Sequence, residues 1–195
     1  MAKLYEELTE PLQQFILDQK MFFVGSAPLS GEGLLNISPK GTEAFRILNS
    51  KTVAYLDLIG SGVESIAHIR ENGRFVILFC SFDKSPKILR LHGTGEVIDQ
   101  SHSEWPELSS MFDDLRPARA IIRLSISRVT DSCGWTVPMY SFKGTRRQYP
   151  DYMKQIGDEE LIEFQLEHNQ SSINGLPALD ESTLRTANRG KPTVG

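Results

Sequence analysis

Two short segments carry the residue types that hold a phosphate: Asn36-Ile37-Ser38-Pro39-Lys40-Gly41 and Gly60-Ser61-Gly62-Val63-Glu64-Ser65. Each follows a strand-like run, and the second leads into a helix-like one. Together they offer the Lys40 ammonium, the hydroxyls of Ser38, Ser61 and Ser65, and free backbone N–H groups at a helix start. Read singly, Lys40 is either a phosphate ligand or a solvated turn lysine. Ser61 and Gly62 are either part of an anion cradle or a helix cap. Read together, at the ends of neighbouring strands, the two segments point to a phosphorylated cofactor.

Other residues could meet such a cofactor. Asp57 alternates with Val53 and Tyr55, opposite Ala54, Leu56 and Leu58, and marks either a cofactor-facing polar stripe or a solvent face. Arg90 and His92 share one face of a later strand and could meet a ring edge or a second subunit. Trp135 could stack on a flat ring or plug the end of a barrel. His68, His102 and His168 lack metal-ligand spacing with one another or with a cysteine, so no metal site is expected. No GxSxG elbow is present, and Cys133 has no local nucleophile signature. GxGxxG after a strand and GxxxxGK[ST] are also missing, which removes the usual support for dinucleotide and P-loop readings.

The elements that must position these residues follow from apolar periodicity and turn chemistry. A first helix is expected over Pro11–Gln19, with Thr9 as its cap and Leu12, Phe15 and Ile16 on one face. Met21–Ala27 reads as a strand, and Gly31-Glu32-Gly33 as a turn into a second strand, Leu34–Ser38. A short helix is expected over Thr42–Leu48. Thr52–Leu58 is a third strand, followed by a helix to about Glu71 that closes at Asn72-Gly73. Arg74–Phe82 is the most apolar strand and reads as central. Lys87–Ile98 is a long strand whose Gly93 and Gly95 suggest a bulge. A helix over Ser103–Phe112 would turn Trp105, Leu108, Met111 and Phe112 inward. Ala120–Val129 alternates cleanly, with Ile122, Leu124 and Ile126 on one face. A last helix is expected over Glu159–His168, capped by Asp158. Six strands with few crossover helices argue for a mainly β fold, an antiparallel barrel with helices outside it. One domain is expected over residues 1–179, with a polar tail over 180–195.

Bulk properties set limits on partners. The chain has 195 residues, 39% hydrophobic and 24% charged, with 21 Lys and Arg against 25 Asp and Glu, a net charge of −4. That balance argues against non-specific nucleic-acid binding. The two cysteines, Cys80 and Cys133, lack CxxC spacing and suit a reducing compartment. The N-terminal stretch lacks a signal-peptide core, and no apolar run reaches the ~20 residues that span a bilayer. A cytoplasmic location and no membrane partner are expected.

The ordered set of motifs resembles a known family. Asn36–Gly41, Tyr55-Leu56-Asp57-Leu58 with Gly60-Ser61-Gly62, Ala67–Phe79 and Ile88-Leu89-Arg90-Leu91-His92-Gly93 are similar to the pyridoxamine 5′-phosphate oxidase-like family of FMN-binding split barrels. Cys133–Pro138 and Ser172–Pro177 extend the likeness. The resemblance implies a six-stranded Greek-key split barrel and a homodimer with FMN at the subunit interface. It implies a flavoprotein acting as an FMN-dependent oxidoreductase on a small molecule. It assigns the phosphate to Lys40, Ser61, Gly62 and Ser65, and the ring to the strands around Asn36, Ile37, Ser38 and Asp57. Arg90, His92 and Trp135 would approach from either subunit. The oxidase itself uses C-terminal Arg and His residues to bind its substrate's phosphate, and Ser172–Leu179 does not match that pattern. The resemblance therefore implies a member with an unassigned substrate. Its alternatives are a non-catalytic flavin-binding or stress-linked module, or a relative using deazaflavin or haem.

Overall fold

The computed structural model describes residues 3–112 and 117–185. Eight strands form one antiparallel curled sheet: β1 (Lys3–Tyr5), β2 (Met21–Ser26), β3 (Asn36–Gly41), β4 (Phe45–Asn49), β5 (Thr52–Leu58), β6 (Arg74–Cys80), β7 (Ile88–Asp99) and β8 (Ala118–Ser132). Their order is β3-β2-β6-β7-β8-β5-β4, with β1 on β8. Six helices flank the sheet: α1 (Glu10–Asp18), α2 (Glu64–Asn72), α3 (Trp105–Ser109), α4 (Gln148–Gln155), α5 (Asp158–His168) and α6 (Glu181–Leu184). This is the expected mainly β split-barrel architecture, with eight strands in place of six. Among the described residues, no helix is long and apolar enough to cross a membrane.

The sheet curls around a core built by inward alternation. Phe22, Phe45, Tyr55 and Phe79 meet there, with ring centroids 5.1–5.6 Å apart. Such aromatic pairs prefer the edge-on and tilted arrangements seen here. A second cluster packs Trp105, Leu108 and Phe112 against the other face of β5 and β8 through Leu56 and Ile121. β5 is thus buried on both faces from Val53 to Asp57. That is why Asp57, 1% exposed, lies on neither a solvent face nor an open stripe.

Several elements differ from the sequence expectation. Thr42–Leu48 is not a helix: a 3-10 turn over Thr42–Ala44 leads into β4. Phe45 and Ile47 pair with Tyr55 and Val53, and that edge-strand pairing overrides local helix propensity. β3 begins at Asn36 rather than Leu34, after a longer connection than Gly31–Gly33 suggests. β6 is third from the edge, between β2 and β7, rather than central. α3 is a short turn of helix, and Met111 lies exposed beyond it. Gly157, not Asp158, is the residue before α5, and α4 has no counterpart in the sequence expectation. Where the sequence predicts a polar tail, α6 forms and buries Leu184 in the main core. Residues 186–195 lie outside the described residues.

Gly93 is required by close packing. A bulge between His92 and Gly93 lets β7 follow β8 around the curl. A Cβ at Gly93 would lie 1.9 Å from the Ser125 carbonyl oxygen. At Gly73 the chain leaves α2 with φ at +70°, the left-handed C-terminal conformation that glycine accepts without strain.

Candidate functional site: a charged cluster beneath the helix α2 turn

β3 sorts its residues strictly by parity. Asn36, Ser38 and Lys40 pair with Ser26, Val24 and Phe22, so all three face inward. Ile37 and Pro39 pair with Gly25 and Phe23 and face outward. Pro39 is tolerated because β3 is an edge strand.

The inward set forms two linked groups. Lys40 Nζ donates to Asp57 Oδ1 at 2.7 Å and lies 5.5 Å from the centre of the Tyr55 ring. Arg119 Nε donates to Asp57 Oδ2 at 2.9 Å. Its two terminal nitrogens donate to the carbonyls of Gly60 and Gly62. Burial alone would raise the Asp57 carboxyl, but Arg119 and Lys40 outweigh it and hold the group below the usual carboxylate range. Two cations share one carboxylate, which leaves one net positive charge. The Tyr55 hydroxyl is pushed well above its ordinary value, first by burial and then by the Asp57 charge.

Beside this cluster, Ser38 Oγ donates to Asn36 Oδ1 at 3.1 Å and Asn36 Nδ2 donates to Ser65 Oγ at 3.0 Å. These bonds tie β3 to the first turn of α2. Further along α2, His68 is fully buried with Nδ1 2.9 Å from Ser26 Oγ, while its Nε2 has no hydrogen-bond partner. Burial lowers its ordinary imidazole value, against Glu64 and Glu71, which act to raise it.

Of the expected residues, Lys40 and Asp57 meet in one group and Asn36, Ser38 and Ser65 in the other; Gly62 joins the first through Arg119, and Ser61 lies between the two glycine carbonyls that Arg119 holds. Ser61 is not a helix cap, because Val63 is the residue before α2. Asp57 has both oxygens taken by cations, so it acts on a ligand only through them. Ile37, Arg90 and His92 do not join the cluster. They lie on the outer face, where Ile37 is 75% exposed and Phe23, Val76 and Leu78 are partly exposed beside Arg90 and His92. Burial and the neighbouring Arg90 and Arg128 lower the His92 imidazole. Trp135 is 81% exposed beyond the end of β8, so it plugs nothing.

Sequence reasoning misses Arg119 and Asn169. Asn169 follows α5, is fully buried, and donates from Nδ2 to the Gly60 carbonyl at 2.8 Å. Arg119 is hidden by a register shift. Asp57 pairs with Ala120 and Leu58 with Ala118, which makes Arg119 the extra residue of a bulge. Strict alternation would send Arg119 away from Asp57; the bulge re-aims it. The available signal is a lone arginine within the apolar run Ala118–Ile122.

An open cleft of about 880 Å³ beside the end of α1 reaches Lys40 and Pro39, and Ile16, Met21, Phe45 and Phe142 also line it. It is within the size range of ligand sites. Among the described residues, no group of three or more His, Cys, Asp or Glu could hold a metal ion.

No protein-family profile matches the sequence. A curated relative does: the chain is 38% identical over 192 residues to the pyridoxamine 5′-phosphate oxidase family protein ustO of Aspergillus flavus, covering 90% of this chain and 77% of the relative. The chain belongs to the pyridoxamine 5′-phosphate oxidase family. Solved structures carry the same fold. One is a point variant of HupZ from Group A Streptococcus, with a TM-score of 0.51 at 18% identity over 64% of this chain and 98% of the other. Another is a Lactobacillus delbrueckii protein provisionally named a pyridoxamine 5′-phosphate oxidase, with a TM-score of 0.51 at 18% identity over 64% of this chain and 94% of the other.

Proposed function

We propose that this member of the pyridoxamine 5′-phosphate oxidase family is an FMN-binding flavoprotein, an FMN-dependent oxidoreductase acting on a small molecule. The observation that carries the reading is the Lys40–Asp57–Arg119 cluster. It sets a net positive charge under a glycine-containing turn at the start of a helix, and positive potential and free N–H groups are what a phosphomonoester requires. The donor set fits FMN. The turn at Ser61, Gly62 and Ser65, with Lys40 behind it, would hold the phosphate, and Asn36 and Ser38 would offer polar contacts along β3. When bound, FMN supplies two-electron redox chemistry at its ring. The chain's own residues bind, orient and exclude water.

One carboxylate opposes this arrangement. Glu64 Oε2 lies 2.8 Å from the position of a Cβ on Gly62, and Glu64 Oε1 accepts from the Ile173 N–H at 3.3 Å. In this reading the incoming phosphate displaces it.

The outer face favours a homodimer. Ile37, Phe23, Val76 and Leu78 form an apolar patch bordered by Arg90 and His92, and a second copy would cover it. The cleft beside Lys40 is where a small substrate could reach the site, and a reducing, cytoplasmic setting completes the reading. Titration of the purified protein with FMN tests it, with deazaflavin and haem as competing ligands. Saturable FMN binding is expected, and preferential uptake of either competitor would reject FMN as the cofactor.

A further inference from the structure

We propose that Arg119 is the positioning residue that presents the Gly60–Ser65 turn to the cofactor phosphate, an inference that rests on the flavin reading above. Arg119 is 6% exposed and uses its guanidinium in three directions. Nε holds Asp57, and the terminal nitrogens hold the Gly60 and Gly62 carbonyls. Asn169 Nδ2 holds the Gly60 carbonyl as well.

A trans peptide points its N–H opposite its C=O. Fixing the Gly60 and Gly62 carbonyls toward Arg119 therefore turns the N–H groups of Ser61 and Val63 away from it. Among the described residues, the N–H groups of Ser61, Gly62 and Val63 have no backbone acceptor. The first N–H groups of α2, which immediately follow, have no partner within the helix. Ser61 and Gly62 are exposed, whereas Val63 is 1% exposed, so the N–H groups of Ser61 and Gly62 are the ones an anion can reach. Without Arg119, the Gly62 carbonyl loses its side-chain donor and the Gly60 carbonyl keeps only Asn169, so the turn can rotate and offer carbonyl oxygens where an anion requires N–H groups. Lysine keeps the charge but cannot reproduce the planar fork that reaches Asp57 and both carbonyls at once.

The test compares FMN with riboflavin, which has the same ring and no phosphate. In the wild type FMN binds more tightly than riboflavin, and the ratio of the two dissociation constants reports the phosphate alone. Arg119→Lys is expected to reduce that ratio by about tenfold, the scale of a charge-assisted hydrogen bond, with riboflavin affinity unchanged. Circular dichroism and a melting curve establish that the variant is folded. An unchanged ratio, or equal weakening of both ligands, overturns the positioning role. If Arg119→Lys does not fold, Asn169→Ala removes the other donor to Gly60. A lower ratio there supports the positioning role, and an unchanged one overturns it. Failure of the wild type to bind either flavin is a separate result, which rejects the flavin reading itself.

Discussion

Arg119 donates from Nε to Asp57 Oδ2 at 2.9 Å, inside a sheet where both side chains are almost fully buried. The carboxylate compensates Arg119 and Lys40 together, so removing it leaves two cations facing each other in the interior. Breaking a buried pair in this way costs about 3–5 kcal/mol. Asp57→Asn is expected to lower stability by that amount in urea unfolding. A loss under about 1 kcal/mol would show that the cluster is not closed as described.

The same carboxyl makes the protein acid-sensitive. Its folded value is depressed, so the unfolded chain takes up the proton first as pH falls. The stabilisation is complete above the unfolded carboxylate value of about 3.9 and is lost as pH falls through the folded value. The wild-type unfolding free energy should decline over that acid range, and Asp57→Asn should decline less.

His68 predicts a second pH window. Burial depresses its folded value below the ordinary imidazole value. The neutral ring therefore contributes fully above about pH 6.5, and that contribution is lost as pH falls toward the depressed value. Melting temperature should fall as pH drops below about 6.5, and His68→Gln should flatten that slope. An identical slope in the variant would assign the effect to another group.

Gly93→Ala addresses the fold alone. With the Ser125 carbonyl 1.9 Å from the added Cβ, the two strands must separate at the bulge. The expected cost is about 3 kcal/mol or more, read from the denaturant midpoint. A near-wild-type midpoint would mean that β7 and β8 do not approach each other as closely as this.

Much of the fold is legible in the sequence because its strands alternate and its turns use glycine and proline in the usual ways. Thr52–Leu58 and the Asn72-Gly73 helix end follow directly from such signals. β4 is not legible, because Thr42–Leu48 carries helix-start residues and becomes a strand only by pairing with β5. The site is half legible. Lys40 and Asp57 meet because strand parity brings both inward, and the same parity turns Asn36 toward Ser65 on α2. Motif order groups Ile37, Arg90 and His92 with them, yet parity puts these three on the opposite face. Arg119 is invisible because a bulge breaks the alternation on which a sequence reading relies.

Lys40 links the fold to the proposed chemistry. Lys40→Ala removes the net positive charge of the cluster while Arg119 still satisfies Asp57. The exposed Lys51 is the matched control. FMN affinity should fall about tenfold or more in Lys40→Ala and stay near the wild-type value in Lys51→Ala, because a charge-assisted contact to phosphate far exceeds a surface charge. The most direct measurement is the titration of wild-type protein with FMN, followed by flavin fluorescence and visible absorbance. Saturable binding is expected, tighter than for riboflavin and weakened by Lys40→Ala but not by Lys51→Ala. No uptake of FMN, or equal affinities for the two lysine variants, would contradict the assignment of this cluster to the cofactor phosphate.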